Sequence, residues 1–363
     1  MSIDKLKNHK KVLVLMSGGV DSSVVALLLK KQGCAVSGVY LRNWEKSVGD
    51  ILECDHNRDS RDAREVAKKI NIPFAVWNFS KEYQQAVIDY FVAGYKQGLT
   101  PNPDIRCNQF IKFGVVLDKA VNLGFDYLAT GHYAAVNYQN SVCHLFTAKD
   151  RNKDQTYFLS TLKQNQLRKI IFPLADLTKS QVRRIAKDNH LATWSKKDST
   201  GICFVGEVKL KDFLGQFIPE KKGKIISESG QILGQHSGAW FFTIGQRHGL
   251  GLGGGEPFYV KAIDAKKNQV VVATQKRQRR AIYQTKIKLS NLRWLASQPE
   301  LPLSCLVRIR HQGKLAKAKL FKSGLIKFAT PQRALAGGQQ AVFYSLKKFN
   351  SRREVIGSGV ING

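Results

Sequence analysis

Residues 11–23 read Lys-Val-Leu-Val-Leu-Met-Ser-Gly-Gly-Val-Asp-Ser-Ser, and this stretch decides the fold. Lys11 to Met16 is a short, mostly apolar run suited to a strand buried on both faces, and Val20 to Lys31 follows as a Leu/Val-rich helix with Gly33 near its end. The turn between them, Ser17-Gly18-Gly19, is built to hold phosphate. Glycines let the main chain come close, the unpaired N–H groups at the helix start point outward, and the helix dipole favours an anion. Ser17, Ser22 and Ser23 add hydroxyl groups, and Asp21 is placed to hold a magnesium ion bridging the phosphates.

Outward from that stretch the same alternation continues. Ala35 to Leu41, Phe74 to Trp77 and Tyr127 to Thr130 read as strands, and Asp59 to Ile70, Lys81 to Tyr95 and Gln109 to Leu123 read as helices. Strands joined by helical crossovers predict a doubly wound α/β domain with a parallel sheet, over residues 1–205. Beyond it glycines become frequent and the apolar segments shorten, which predicts a small, mostly β middle domain over 206–278. Short alternating segments such as Cys305 to Arg310, Leu325 to Ala329 and Ala341 to Leu346 predict a C-terminal β-barrel over 279–363, with the basic run Lys276 to Arg280 as the linker.

Charge narrows the partner. The 363 residues carry 58 Lys and Arg against 27 Asp and Glu, a formal net charge of +31, far more than solubility requires. The excess is spread through the chain, which suits a folded surface facing a polyanion such as RNA. No stretch approaches the roughly 20 apolar residues that cross a bilayer, and the N-terminus lacks the apolar core of a secretory signal, so no membrane partner and a cytoplasmic location are expected. Six widely spaced cysteines do not make a disulfide scaffold, but they leave room for reactive thiols.

Two of those cysteines stand out. Cys107 lies in Thr100-Pro101-Asn102-Pro103-Asp104-Ile105-Arg106-Cys107-Asn108, where two prolines predict a rigid loop that holds Asp104 and the thiol ahead of a helix, with Arg106 favouring the thiolate. Cys203 lies in the polar, basic stretch Lys196-Lys197-Asp198-Ser199-Thr200-Gly201-Ile202-Cys203-Phe204. Spacing alone does not bring them together.

The loop at 17–23 is neither a Walker A sequence nor a three-glycine dinucleotide fingerprint; it resembles the PP-loop of the ATP pyrophosphatases. Taken with Leu41-Arg42-Asn43-Trp44, the Pro-Asn-Pro-Asp and Cys107 segment, Gly131-His132-Tyr133, Asn152-Lys153-Asp154-Gln155, the Ser-Thr-Gly-Ile-Cys-Phe stretch at 199–204, Thr243-Ile244-Gly245-Gln246-Arg247 and Gly249-Leu250-Gly251, the chain is similar over nearly its whole length to the tRNA-specific 2-thiouridylases. That resemblance implies ATP-dependent adenylation of the 2-oxygen of the wobble uridine in tRNAs for lysine, glutamate and glutamine. Sulfur transfer then gives 2-thiouridine, AMP and pyrophosphate.

It also implies roles. Cys203 receives a persulfide from a sulfur carrier or cysteine desulfurase, and Cys107 is the partner nucleophile that forms a transient disulfide with it. Leu15, Met16, Ser17, Gly18, Gly19, Val20, Asp21, Ser22, Leu41 and Gly131 contact ATP, which brings magnesium with it. Asn102, Pro103 and Asp104 approach the target base, with Asp104 the candidate general acid or base. His132, Lys153, Asp154, Gln155, Arg310, His311 and Gln339 contact tRNA. Two positions depart from the family pattern: Gly337, where proline is expected, implies a looser loop around Gln339, and His311 stands where tyrosine is often found. The alternatives from the residues alone are another PP-loop adenylating enzyme, such as a 4-thiouridine synthase, or a non-catalytic tRNA-binding protein with a vestigial ATP loop.

Overall fold

The computed structural model describes residues 9–44, 52–198, 210–253, 256–274 and 283–363, with the side chains of the helix Leu52–Lys69 described from residue 58 onward. Strands β1 (Lys11–Leu15), β2 (Ala35–Arg42), β3 (Phe74–Asn78), β4 (Tyr127–Ala129) and β7 (Ile170–Ile171) form one parallel sheet in the order β3-β2-β1-β4-β7. Alternation along β1 and β2 sends Leu13, Leu15, Val39 and Leu41 into one apolar cluster and Val12, Val14, Met16, Val36 and Tyr40 into another. Both faces of the sheet are therefore covered, as the apolar strands predicted. The helix Val20–Lys31 packs on one face, its Asp21 in the first turn and Lys30 and Lys31 in the last complementing the helix dipole.

The reading from sequence missed two features here. Beyond β4 the chain makes an antiparallel hairpin, β5 (Ala134–Gln139) and β6 (Val142–Thr147), outside the parallel sheet. The helix carrying Cys107 also starts earlier than predicted. Asn102 caps it, its side-chain oxygen accepting from the Ile105 N–H at 3.0 Å, and Pro103 occupies the first helical position. Proline is well suited there because it has no N–H to leave unpaired. Winding continues through Cys107–Val115 as a π-helix, kinked at Gly114 where the backbone is not helical (φ −101°, ψ −110°), and resumes over Val116–Asn122 as an α-helix. Cys107 thus sits inside a helix and not in the rigid loop expected of it.

The middle sheet has the order β10-β11-β8-β9, from β8 (Gly223–Ser227), β9 (Ile232–His236), β10 (Phe258–Asp264) and β11 (Gln269–Thr274). Its preceding helix, Leu210–Gly215, places Phe213 against Trp44 and Phe91 at ring distances of 5.9 and 6.0 Å. The last six strands are β12 (Tyr283–Trp294), β13 (Leu303–Arg308), β14 (Ala316–Leu320), β15 (Leu325–Arg333), β16 (Gln340–Tyr344) and β17 (Glu354–Ile361). They run β12-β15-β14-β13-β16-β17, and β17 pairs back onto β12, closing an antiparallel barrel. β17 also pairs with β6, so the missed hairpin ties the barrel to the first sheet's portion of the chain. The linker read at Lys276 to Arg280 lies outside the described residues.

Candidate active site

The phosphate loop is pre-shaped by its own side chains. Gly18 has φ +73°, and a Cβ there would sit 2.3 Å from the Asp59 carbonyl oxygen, so only glycine fits. The Ser17 N–H donates to the Ser22 hydroxyl at 3.1 Å, while the Ser22 and Ser23 hydroxyls donate to the Gly19 carbonyl at 3.1 and 2.9 Å. Gly131, at the end of β4, is pressed against the loop: a Cβ there would lie 3.0 Å from the Asp21 side chain and 3.1 Å from the Ser22 nitrogen. Met16, Val20 and Leu41 are buried, Leu15 and Leu41 on one side of the sheet and Met16 and Val20 on the other.

Asp21 does not stand open. Lys179 donates to both its oxygens at 2.8 and 2.7 Å, and the Tyr133 hydroxyl donates at 2.9 Å. Burial and the Asp21 charge raise the Tyr133 pKa, which keeps that hydroxyl a donor. Lys179 also pairs with Asp198 at 2.8 Å, and Asp198 is held further by Lys153 at 2.6 Å and Arg183 at 2.8 Å. Burial opposes ionisation of Asp198, but the bonds from Lys153 and Lys179 outweigh it and hold its pKa at about 2. The sequence motifs include Tyr133 and Asp198 but gave neither a role, and Lys179 lies outside them all. One signal was available: Lys179 opens the helix Lys179–Asp188, where the dipole disfavours a cation unless an anion faces it.

The 100–108 segment is gripped from the barrel. Gln339 donates to the Thr100 carbonyl at 2.6 Å, and the Thr100 N–H donates to the Gly337 carbonyl at 2.8 Å. A Cβ at Gly337 would meet Gly363 at 2.4 Å, so the departure from proline leaves a pinned loop and not the looser one expected. Pro103 is buried, and Asn102 and Asp104 are half-buried at the helix start. Cys107 is 0% exposed. Arg106 is engaged elsewhere, stacked between Tyr90 and Phe110 at 4.4 and 4.1 Å with its Nε donating to the Ala86 carbonyl at 3.1 Å. Those contacts give Arg106 a packing role. Cys203 and the stretch 199–209 lie outside the described residues.

The residues expected to meet tRNA fall into two groups. His132 packs between Phe113 and Phe172 at 5.8 and 6.1 Å, its Nδ1 2.7 Å from the Thr130 hydroxyl, and burial, with Lys112 nearby, drives its pKa well down. His311 packs on Phe158 at 4.3 Å within the chain itself; burial and then Arg308 lower its pKa. Both are neutral rings suited to stacking. Lys153 and Gln155 are half-buried and Arg310 is exposed. Gln155 is partly spent, its side chain accepting from the Tyr133 N–H at 3.0 Å.

Asp154 requires a correction. At 4% exposure its carboxylate accepts from the Ala148 N–H, the Thr156 hydroxyl and the Arg308 guanidinium at 3.3, 3.0 and 2.8 Å. A direct contact with RNA is not open to it in this arrangement; it ties the barrel strand β13, through Arg308, to the segment that carries Lys153 and Gln155.

Comparison with known proteins agrees with this layout. Family models described as tRNA methyl transferase HUP domain, tRNA methyl transferase PRC-barrel domain and aminomethyltransferase beta-barrel domain match residues 10–207, 211–274 and 284–361. The tRNA-specific 2-thiouridylase MnmA of Lactobacillus gasseri is 45% identical over 347 residues, covering 92% of each chain. Its namesake in Streptococcus agalactiae serotype Ia is 44% identical over 97% of this chain and 95% of its own. That of Legionella pneumophila strain Paris is 46% identical over 92% of this chain and 95% of its own. With the phosphate loop, the capped Cys107 helix and the closed barrel in one chain, and relatives of this identity along nearly all of it, the protein belongs to the tRNA-specific 2-thiouridylase family.

Proposed function

We propose that this protein replaces the 2-oxygen of the wobble uridine in tRNAs for lysine, glutamate and glutamine with sulfur, at the expense of ATP. A uridine carbonyl oxygen is a poor leaving group, so it first attacks the α-phosphorus of ATP and expels pyrophosphate. The terminal sulfur of a Cys203 persulfide then attacks carbon 2 and AMP leaves. Cys107 attacks the inner sulfur of that persulfide, giving a Cys107–Cys203 disulfide and 2-thiouridine, and a thiol reductant resets the pair. The sulfur on Cys203 is supplied by a cysteine desulfurase or a persulfide carrier. Cytoplasmic tRNA is the substrate pool this chemistry calls for, and among the described residues no helix is long and apolar enough to cross a membrane.

The observation that carries the reading is the junction at Thr100. There the barrel holds, by Gln339 and Gly337, the turn that leads directly into Asn102, Asp104 and Cys107, so the groups assigned to RNA and those assigned to chemistry share one support. The π-helical winding from Cys107 to Val115 suits a functional residue, since such turns recur where a helix is re-aimed for chemistry. Cys107 is fully buried in this structure.

Magnesium would accompany the nucleotide. Asp21 is the loop's one carboxylate, and the Ser17 hydroxyl with the N–H groups at the helix start would complete a phosphate cradle. Both of its oxygens are taken by Lys179 here, so it fits the ion once Lys179 turns to the nucleotide phosphates. Release of AMP and pyrophosphate from ATP, followed with and without unmodified tRNA, tests the adenylation step. Stimulation by tRNA is expected; ATP turnover that ignores tRNA, or none at all, would reject the assignment.

A further inference from the structure

The barrel carries a row of lysines that no site described above uses. In the strand register Lys319 on β14 lies directly opposite Lys327 on β15, and Lys327 lies directly opposite Lys286 on β12. Directly paired positions share a face of the sheet. All three are exposed, while their neighbours Ile287, Ala318, Leu320, Ile326 and Phe328 fill the barrel interior. The row therefore crosses three adjacent strands on the outer wall. In the closed order β14 is opposite β17, the strand that joins the catalytic part of the chain through β6.

Such a row has a cost. Like charges directly opposite on neighbouring strands destabilise a sheet. Two ordinary reasons for surface lysines do not apply. Lysines that guard a sheet edge against aggregation belong on edge strands, but β14 and β15 are each paired on both sides. Lysines that merely solvate a face are usually interspersed with acids. Residues 283–363 contain fifteen Lys and Arg but only Glu300 and Glu354, and Glu354 is taken by His144. The local field has one sign.

The row also connects to the site. Arg310 and His311 stand at the turn between β13 and β14, at the barrel end that grips Thr100; exposed Lys314 follows before the strand, and exposed Lys317 and Lys319 lie on β14 itself. At about 3.3 Å per residue, Ala316 to Lys319 carries the row roughly 10 Å along the strand from that end. An RNA whose loop enters beside His311 has its double-stranded stem next in line. We propose that Lys286, Lys319 and Lys327 form a phosphate track for the stem of the anticodon arm, continuous along β14 with the contacts at Arg310 and His311. This rests on the reading of the chain as a tRNA-modifying enzyme.

The test replaces all three by glutamine in the full chain, Lys286→Gln with Lys319→Gln and Lys327→Gln. Binding is measured against salt for whole tRNA and for a single-stranded oligonucleotide of the anticodon loop alone. Each lost phosphate contact lowers the slope of log affinity against log salt by about 0.7–0.9, so the slope for tRNA should fall by about two units. Binding of the loop oligonucleotide should stay as in wild type, and the melting temperature should hold or rise as the cross-strand repulsion is relieved. An unchanged tRNA slope overturns the proposal, as does an equal loss for both RNAs. Whether uridine is thiolated is scored separately in the wild type, so a slope change without thiolation would sink the enzymatic reading and leave the RNA track standing.

Discussion

Asp104 and Asp198 show how differently two carboxylates of this chain are used. Asp104, half-buried at the start of the Cys107 helix, is the candidate proton carrier, and Asp104→Asn should lower the rate of thiolation by about 10²–10⁴ while leaving ATP affinity within a few-fold. Comparable loss of ATP binding would make it structural instead. Asp198 is held at a pKa of about 2 by Lys153 and Lys179. Its folded value is below the unfolded one, so its stabilisation is complete above about pH 4 and is lost as pH falls toward 2. Thermal unfolding of Asp198→Asn between pH 5 and 2 should show a flatter acid limb than wild type; parallel limbs would contradict the assignment. At Gly18 the demand is steric, since a Cβ would collide with the Asp59 carbonyl at a positive φ. Gly18→Ala should cost at least about 1–2 kcal/mol from backbone strain alone, read as a lower melting temperature together with weakened ATP binding.

Elements reveal where sequence reading works and where it stops. The run Lys11 to Met16 and the helix from Val20 were legible because a strand buried on both faces and a helix beginning at a glycine turn leave strong local patterns. The start of the Cys107 helix was misjudged because prolines at 101 and 103 read as helix breakers, whereas Pro103 after the Asn102 cap is an opening residue. The hairpin β5–β6 was passed over because its role, pairing with β17 more than two hundred residues later, is a long-range fact. Long-range pairing also hid the true place of Asp154. Its acid was visible, but Arg308 came to it only through the docking of β13. Removing one member of a buried ion pair typically costs about 3–5 kcal/mol, so Asp154→Ala should destabilise the chain by that order in denaturant unfolding. A loss under 1 kcal/mol would show that the tie is not needed.

Across the whole molecule, charge and architecture point the same way. A net charge of +31 was readable from composition, but only the register shows that three of those lysines stand in a row on the barrel. Equally, the two cysteines were legible as residues, but 96 positions of sequence between them do not bring them together; Cys107 is buried in a helix and Cys203 lies outside the described residues. The barrel's grip on Thr100 joins the RNA-facing and chemical parts, so Gln339→Leu should slow thiolation while leaving ATP binding unchanged. Sulfur transfer to carbon 2 through both thiols can be followed by incubating unmodified tRNA with ATP, magnesium and a persulfide donor, then digesting the RNA for nucleoside mass analysis and chromatography against 2-thiouridine and 4-thiouridine standards. Wild type should yield 2-thiouridine, and Cys107→Ser and Cys203→Ser should each yield none; 4-thiouridine from wild type, or 2-thiouridine from either serine variant, would rule out transfer to carbon 2 through the pair.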